Sequence, residues 1–586
     1  MRGLISPLLI STVLGLLYIN CYSETLSKRE ITGRVIRILD SSNFILETSK
    51  CKFITKNKSK LELNPGDRVL IKGFVIPLKE YKNPGLFDFD RYNRIKGICG
   101  YISPEDIRKT ESARLNILYR IKRELYKNID GLPHPTGALI KAFIFGIKDD
   151  IKEKLVIFRN LSLIHIFAIS GLHFAIFIGT IHLALKYILR LVYLIKPTQI
   201  PITPDRIAFI PSLLSIPLLL TLTGYPPSAI RTSAMYIAYI PKFFLERNVS
   251  LLRALLVGII LVTIFEPSNL YEVGFILSVN AVLAIVIANK ILDGKNKTAK
   301  FLLFPLIISI VMTPTISFLF GKIYLLSPVA NLFVPVFSFL IFLNFVYFIF
   351  NPITPQFITN TINGINRMVL DLTTYIGGSD FVKNTVINST KITTILTLIP
   401  LIVILSFLVK DKRYRYVVLS FIIPIIIYAY ACYKDSLKDR AILFDFGEST
   451  VSLVRSGDRN LLFVGGLRRM DLVDRIVKAI LYQNVNRIDE IYEIGDTNDR
   501  RVIESIRESL VKDGGDLKSE TESDNCYYHT EFVDFTCNLS RCESLICEDP
   551  WGNVRIKGDT LRTEDTGAIV VEVEDEKGIK WYKAYR

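Results

Sequence analysis

Two histidines, a serine and a glycine interrupt a long apolar stretch near residue 170. The stretch reads L-I-H-I-F-A-I-S-G-L-H-F over residues 163–174 and contains His165, Ser170, Gly171 and His173. A polar side chain at membrane depth is costly unless it faces a bundle interior or a wet cavity. These residues are therefore candidates for a pore, in which imidazole and hydroxyl groups bond a passing solute.

Three further polar side chains interrupt later apolar segments. Arg231 would place a positive charge inside one of them, and Asn280 and Asn331 would add uncharged amides. A strand of phosphates needs a wide, wet conduit lined by donors or positive charge rather than by carboxylates. The alternative for Asn280, Asn331 and Ser170 is that each only bonds a neighbouring helix.

The spacing of the histidines sets a geometric expectation. His165 and His173 are eight positions apart, so they face within about 80° of each other if one helix continues through Gly171. Gly171 and Pro328 also predict local openings of helices, where backbone N–H groups approach a phosphate.

Composition indicates a multi-pass membrane protein. Half of the 586 residues are hydrophobic, and the mean hydropathy is +0.34. An apolar run over residues 1–23 predicts an N-terminal anchor, and we expect about ten crossings in total. The other predicted spans are residues 161–189, 207–222, 229–245, 252–265, 271–290, 301–320, 325–350, 393–408 and 416–432.

Charge is unevenly distributed along the chain. The net charge is +16, yet residues 434–586 hold 23 Lys and Arg against 31 Asp and Glu, so the rest of the chain carries +24. This basic part suits a polyanionic partner, although positive cytoplasmic loops account for some of the excess. With Arg2 in the cytoplasm, the same rule predicts that both soluble domains lie on the extracytoplasmic side of the membrane.

Residues 30–102 form short alternating segments separated by Asn, Pro and Gly turns. The turn at residues 65–67 and the strand after it are typical of a five-stranded oligonucleotide-binding (OB) barrel. Such barrels hold single strands with cations that follow phosphates and rings that stack on bases. The candidate cations are Arg34, Arg37, Lys50, Lys52, Lys56, Lys58 and Lys60. The candidate rings are Phe44, Phe53, Phe74 and Tyr81, whose alternative place is the barrel core.

Cysteines occur in even numbers in each predicted soluble domain, which favours disulfides in an oxidising compartment. Zinc ligation and free thiols are the alternatives, although the spacings lack the Cys-x-x-Cys pairs of zinc sites. The candidates are Cys51 and Cys99 in the barrel and Cys526, Cys537, Cys542 and Cys547 in the C-terminal domain.

Several motifs resemble those of one family. Residues 163–174 resemble the H-L-L-A-I-S-G-L-H signature of the ComEC family, the membrane channels that bring single-stranded DNA into competent bacteria. Residues 83–88 resemble the N-P-G-x-F-D segment that follows its extracytoplasmic barrel. Residues 224–235 resemble its G-x-x-P-S-x-x-R-A-x-x-M element, and residues 327–335 its S-P-L-x-N-L-L-x-x-P element. Residues 267–278 resemble P-x-x-L-x-x-x-G-F-Q-L-S, with Ile276 in place of glutamine.

The C-terminal part resembles the opening of a metallo-β-lactamase-type α/β domain, the usual partner in this family. Glu448 and Val464 replace a glutamine and an aspartate of the D-V-G-Q-G-D…L-I-D-G-G pattern. The T-H-x-H-x-D-H metal motif should follow, but residues 487–500 contain no histidine, and His529 is the only histidine of the domain. We therefore expect a degenerate domain that is not an enzyme, binds no metal and needs no cofactor.

The predicted domains are the anchor, an OB domain over 24–104, linker helices over 105–159, a channel domain over 160–432 and the metallo-β-lactamase-like domain over 433–586. The resemblance implies that the barrel gathers single-stranded DNA outside and that the bundle conducts it inward. The implied partners are this DNA, a DNA receptor, a cytoplasmic DNA motor or single-strand-binding proteins, and membrane lipid. The alternatives are a transporter of a small anionic solute and a membrane-tethered metal-dependent nuclease.

Overall fold

The structure is a computed structural model of the 586-residue chain. It describes residues 28–38, 43–49, 51–57, 61, 63–78, 83, 85–86, 92–94, 96–112, 117–129, 131–195, 203–241, 248–265, 269–270, 272–409, 411–437, 440–446, 449–456, 459–467, 472–494, 499–510, 517–520, 525–529, 534–538, 569–574 and 578–583. The predictions for the anchor over 1–23 and for Lys50, Lys58, Lys60, Tyr81, Cys542 and Cys547 lie outside these residues.

The chain divides into two compact units. The first comprises residues up to 78, 91–312 and 324–386, and the second comprises residues 79–90, 313–323 and those from 387 onward.

Five strands of the first unit close into a barrel. They are β1 (Lys28–Ile38), β2 (Asn43–Glu47), β3 (Lys52–Lys56), β4 (Arg68–Pro77) and β5 (Ile98–Glu111). Their order is β1-β2-β3-β5-β4, and β3 pairs with β5 in parallel. Alternate apolar residues such as Val35, Leu46, Val69 and Ile71 fill the interior, as a small closed barrel requires. The predicted OB-type barrel is confirmed, and its last strand runs past the predicted boundary at residue 104.

A disulfide joins the beginnings of two barrel strands. Cys51 directly precedes β3 and Cys99 is the second residue of β5, and their Cα atoms are 5.9 Å apart. The predicted disulfide between these cysteines is confirmed.

The first unit continues with helices, many of them short or broken. They are α1 (Ile117–Lys127), α2 (Thr136–Ile140), α3 (Lys152–Asn160), α4 (Gly171–Ile195), α5 (Pro204–Leu214), α6 (Ile216–Thr223), α7 (Pro227–Ile237), α8 (Leu251–Phe265), α9 (Val273–Ile291), α10 (Lys297–Phe320), α11 (Ser327–Ala330), α12 (Val334–Phe350), α13 (Gln356–Gly377) and α14 (Asp380–Asn384). A π-helix (Lys141–Phe145) follows α2, and 3₁₀ turns span Asp149–Ile151, Ile164–Ile166, Asn331–Phe333 and Asn351–Ile353. Two short strands are β6 (Lys322–Tyr324) and β7 (Val386–Asn388). The end of α10 and most residues of these two strands belong to the second unit.

Six helical segments within the described ranges are long and apolar enough to cross a membrane. They are Gly171–Ile195, Pro204–Thr223, Val273–Ile291, Lys297–Phe320, Ser327–Ile353 and Tyr414–Lys434. Shorter apolar helices span Thr136–Phe145, Leu251–Ile264 and Lys391–Ser406. These segments coincide with most of the predicted spans and confirm a multi-pass membrane protein.

A buried amide network joins α2 to α12 and α13. Asn344 and Asn366 exchange two hydrogen bonds of 2.9 Å. Asn366 also donates to the Thr136 hydroxyl at 2.9 Å, and that hydroxyl bonds Asn363 Oδ1 at 2.9 Å. Asn344, Asn366 and Thr136 are fully buried. Because the paired groups satisfy one another, the network fixes the apolar segment 136–145 without leaving these polar groups unbonded.

An ion pair between buried Glu272 and the mostly buried Lys96 joins the segment between β4 and β5 to α9. The Tyr92 hydroxyl donates to Glu272, the residue that precedes α9, at 2.6 Å, and Lys96 donates to the same carboxylate oxygen. Glu272 is 7% exposed. Arg37 of β1 donates to the carbonyl oxygens of Gly224 and Tyr225, both at 3.2 Å.

Glu272→Gln is expected to lower the free energy of unfolding by about 3 kcal/mol, because it leaves the Lys96 ammonium buried without its counter-charge. Thermal unfolding of the purified protein in detergent measures the loss. The control is Asp380→Asn, whose exposed carboxylate pairs with Lys383 at 2.9 Å. Its expected effect is at most about 1 kcal/mol, and equal effects of the two substitutions would contradict the assignment.

The second unit contains α15 (Lys391–Leu396), α16 (Leu398–Ser406), α17 (Lys412–Ser420), α18 (Ile422–Ser436) and a soluble α/β part. The soluble part consists of β8 (Arg440–Phe446), β9 (Ser449–Ser456), β10 (Arg459–Gly465), α19 (Val473–Tyr482), β11 (Glu490–Ile494), α20 (Arg500–Leu510), β12 (Leu517–Glu520), β13 (Asn525–His529), β14 (Asp534–Asn538), β15 (Ile569–Glu574) and β16 (Gly578–Lys583).

Seven strands of the soluble part form one mixed sheet in the order β12-β11-β10-β9-β8-β15-β16, with β10, β11 and β12 parallel. A separate hairpin pairs β13 with β14 and places Cys526 directly opposite Cys537, so a disulfide there stays a prediction. Within the described ranges, no group of three or more His, Cys, Asp and Glu side chains is placed to hold a metal ion. The metallo-β-lactamase type of the domain also stays a prediction.

A segment from the N-terminal part of the chain packs on the α/β core of the second unit. Leu86 contacts the apolar cluster beneath α19 and α20. The preceding Gly85 has φ of +75°, and a Cβ there would lie 2.3 Å from the Tyr482 ring. Both facts require glycine at this position.

Lys478 on α19 lies against the end of α10, where its ammonium donates to the Leu319 carbonyl at 2.7 Å. Burial lowers the pKa of Lys478 from 10.5 to about 8. Between these two values the unfolded chain binds the proton and the folded chain releases it, so stability rises with pH in that window.

The free energy of unfolding of Lys478→Met should therefore exceed that of the unsubstituted protein by most at pH 7. This difference should shrink as the pH rises through 8 toward 10. Unfolding temperatures of both proteins across this range measure the difference. Lys383→Met, at an exposed lysine, serves as the control and should give a difference that does not change with pH. A constant difference for Lys478→Met would contradict the buried ammonium.

Candidate pore site in the membrane domain

The first turn of α4 is defined by Ser170 and His173. The Leu172 N–H donates to Ser170 Oγ at 3.2 Å, and the Ser170 N–H donates to His173 Nδ1 at 3.3 Å. This is a capping box in which a histidine stands where glutamate or glutamine is usual. The cap begins a new helix at Gly171, so the expectation that one helix carries both His165 and His173 is wrong.

His173 is a buried, neutral donor. It is fully buried beside the rings of Phe143 and Phe177, with centroids 5.8 and 6.2 Å away. Because its Nδ1 accepts from the Ser170 N–H and lies 3.0 Å from Ser170 Oγ, the ring proton belongs on Nε2. In the described part of the chain Nε2 makes no well-formed hydrogen bond, although the Ile166 carbonyl lies near the ring. Its N–H is therefore available to a ligand.

Arg231 is a buried cation on α7. Its side chain is 2% exposed, and Nε and Nη1 have no hydrogen-bond partner in the described ranges. Its Nη2 would lie 3.1 Å from a Cβ on Gly171, so the guanidinium lies directly against the first turn of α4. An unbonded buried guanidinium is strongly unfavourable unless an anion or another acceptor compensates it. The prediction of a positive charge within the bundle is thus matched by geometry that suits an oxyanion.

A second set of polar groups surrounds His165. This histidine lies in the 3₁₀ turn before α4, is exposed, and donates from Nδ1 to the Ser162 carbonyl at 3.0 Å. The Ser162 and Ser327 hydroxyls are 3.3 Å apart. Asn331 then donates to Ser327 at 3.2 Å and to Ser309 at 3.0 Å. A continuous series of polar contacts therefore connects His165 with Asn331.

Pro328 begins the short helix α11, and a 3₁₀ turn separates α11 from α12. The predicted break in the apolar run over 325–350 is present, and it places Ser327 beside Ser162 and Asn331 beside Ser309. Asn280 is half-buried on α9, which packs against α7 and α8.

Sequence reasoning missed several residues of the site. Lys148 lies near enough to His173 for its charge to act on the imidazole, as does His165, and burial lowers the pKa of the Lys148 ammonium. Lys148 follows two residues after Gly146, which ends the π-helix with φ of +75°. The missed hydroxyls are those of Ser162, Ser228, Thr232, Ser309 and Ser327. A single polar residue in an apolar run looks the same in the sequence whether it belongs to a site or only packs against a neighbouring helix.

The predicted DNA-binding residues of the barrel occupy different environments. Arg34 and Lys56 are exposed on β1 and β3, and Lys52 is half-buried. Arg37 instead bonds the two carbonyls before α7. Among the candidate rings, Phe44 belongs to the barrel core, whereas Phe74 is 38% exposed.

The fold and the site together define a multi-pass membrane protein with an OB-type barrel ahead of its helical bundle. Residues 143–413 match the family described as Competence protein. The chain is also similar to ComE operon protein 3 of Bacillus subtilis (strain 168), with 25% identity over 287 residues. That alignment covers 48% of this chain and 35% of the relative, so the chain matches about a third of the relative's length. No solved structure matches. Residues 143–413 are therefore similar to this family of competence proteins.

Proposed function

We propose that this protein imports single-stranded DNA across the cell membrane during natural transformation. The observation that carries the proposal is the buried Arg231 guanidinium, which lies against the first turn of α4 with two nitrogens unbonded in the described ranges. A guanidinium and a helix N-terminus both favour oxyanions, and each nucleotide of a DNA strand supplies one phosphate. The match of residues 143–413 to the family described as Competence protein supports the same role.

In this proposal the helical bundle conducts the strand, and its uncharged donors and positive charges follow the phosphates. His165, His173 and Arg231 supply the donors closest to the break before α4. The series of contacts from Ser162 to Asn331 extends this polar surface toward Pro328 and α12. The proposed partners are a DNA receptor outside, a cytoplasmic DNA motor or single-strand-binding proteins, and membrane lipid.

Uptake into proteoliposomes tests conduction. Fluorescent single-stranded DNA is added to vesicles that hold the full chain and an enclosed DNA-translocating ATPase, and the label that survives external nuclease is measured. Protected label above that of protein-free vesicles supports the proposal. Transport of inorganic phosphate or sulfate with no protected DNA would overturn it in favour of a transporter for small anions.

The barrel is proposed to hold the strand before it crosses. Its exposed cations on β1 and β3, Arg34 and Lys56, lie on neighbouring parts of one surface with Lys52, as strand tracking requires. Each phosphate contact contributes about 0.7 to the slope of log affinity against log salt for a single strand. Replacing all three with serine is expected to lower that slope by about 2 in the full-length protein.

The matched control for the barrel replaces Arg108 with serine. Its side chain already pairs with Asp106 at 2.8 Å, so the slope should change little. Equal slopes for the triple variant and the unsubstituted protein would remove the barrel from DNA binding.

We also propose that the C-terminal domain is not a metal-dependent nuclease. The support is the sequence at 487–500, where the metal motif of the resembled domain would fall and no histidine occurs. Metal analysis and a nuclease assay of the purified full chain test this. Stoichiometric zinc together with DNA cleavage would overturn it.

A further inference from the structure

The beginning of α4 and the first half of α7 meet in a tight contact, here called the α4–α7 seam. Ser228 on α7 donates to the Ile169 carbonyl at 2.5 Å. Beside this bond, a Cβ on Gly171 would lie only 2.7 Å from Thr232 Oγ1. The two backbones approach so closely that no ion fits between these residues in this conformation.

Buried donors lie on both sides of the α4–α7 seam. Arg231 on α7 has Nε and Nη1 unbonded in the described ranges, and His173 on α4 has Nε2 unbonded there. Arg231 is 2% exposed and His173 is fully buried. The two side chains therefore point their donors into the protein interior next to the seam rather than into solvent.

The chemistry of these donors identifies a phosphodiester as the matching ligand. A guanidinium presents several N–H groups in one plane, which suits the paired oxygens of a phosphate. The first N–H groups of the 25-residue helix α4 add the positive end of its dipole at the same place. A neutral imidazole N–H bonds a phosphate oxygen without requiring a further counter-charge.

We propose that the α4–α7 seam is a gate that closes over this phosphate site, and that the phosphates of an incoming strand hold it open by bonding Arg231 and His173. The inference rests on the proposed function, since it assigns the strand as the ligand. A ligand shifts a two-state equilibrium only through different affinities for the two states. Here the open state exposes the donors, and the closed state buries them.

Reversible cross-linking tests whether the seam must separate. A Cβ on Gly171 would lie 3.9 Å from the Thr232 Cβ, within the range of about 3.5–4.5 Å that disulfides span. In the double variant Gly171→Cys, Thr232→Cys, oxidation is expected to reduce DNA uptake to the level of protein-free vesicles, and a reductant should restore it. Each preparation is its own reference, because only the redox state changes.

The matched cross-link is Ser317→Cys, Ser389→Cys, a pair of serines of the second unit whose hydroxyls are in contact. Its uptake should be the same before and after reduction. If the oxidised seam variant imports DNA at its reduced rate, the gate is overturned while the proposed function stands.

A thiol-labelling experiment separates the gate from conduction. Ala229 on α7 is fully buried and packs in the same apolar cluster as Ile169 and Phe174. In an Ala229→Cys variant, a charged methanethiosulfonate should react slowly, and a single-stranded oligonucleotide should accelerate the reaction about tenfold. Ala254→Cys, equally buried on α8, is the control and should show no acceleration.

The two measurements distinguish every outcome. Acceleration without protected DNA in any variant would support the gate and overturn import of DNA. If neither the oligonucleotide nor inorganic phosphate changes the labelling rate of Ala229→Cys, the gate is overturned, whatever the uptake assay shows.

Discussion

Replacing Arg231 with methionine is expected to make the protein more stable and poorer at importing DNA. The guanidinium is buried with two nitrogens unbonded in the described ranges, so its removal relieves a desolvation cost. An apolar side chain of similar length should raise the free energy of unfolding by about 1–4 kcal/mol. Uptake should fall about 10- to 100-fold, because a hydrogen bond to a charged group contributes about 1.5–3 kcal/mol.

The prediction is specific because stability should rise while DNA uptake falls. A residue that merely supported the fold would lose uptake and stability together. Unfolding temperature and nuclease-protected DNA are therefore measured on the same preparation. Arg253→Met is the control, because this arginine is exposed at the start of α8 and should change neither quantity appreciably. A lower unfolding temperature for Arg231→Met would contradict the site.

Removing the barrel disulfide is expected to have the largest effect on stability. Cys51 and Cys99 are separated by 48 residues. In the chain-entropy description, closing a loop of that length stabilises the fold by about 4 kcal/mol. That value is a large share of what a barrel of this size can supply from its own core. In the full-length protein, the double variant Cys51→Ser, Cys99→Ser should therefore be cleaved within the barrel at protease concentrations that leave the unsubstituted protein intact.

Reduction of the unsubstituted protein should reproduce the effect, since it breaks the same bond. Cys432→Ala is the matched control, because Cys432 is a buried free thiol and its loss removes one sulfur from a packed site. It should leave the barrel as resistant as before. A barrel that resists protease equally with and without the disulfide would show that its core suffices.

Much of the architecture could be predicted because it depends on patterns with a strong local cause. Long apolar runs must become spans, and alternating segments with Gly and Pro turns must become strands. The barrel and most spans follow from this reasoning, and the disulfide from the even number of cysteines in the barrel. The amphipathic helix α13 did not, because Asn363 and Asn366 lower its hydropathy although they bond buried partners.

The candidate site was predictable in its residue types and not in its geometry. Periodicity cannot show that Ser170 caps a new helix, because a serine in an apolar run is equally compatible with helix interior. The contacts among Ser162, Ser327 and Asn331 join parts of the chain that are distant in sequence, and a single sequence contains no signal for such pairing. The same holds for Glu272, whose partners Tyr92 and Lys96 lie in another domain.

The packing of Leu86 has a consequence for the order in which the protein is made. Its apolar partners on α19 and α20 are synthesised only after all the intervening membrane helices have been inserted. Until then, the apolar surface of Leu86 has no partner to cover it. Contacts between residues so far apart in sequence also form slowly. Leu86 therefore remains without its partners while the membrane helices are made, and the α/β core is completed by a residue synthesised long before it.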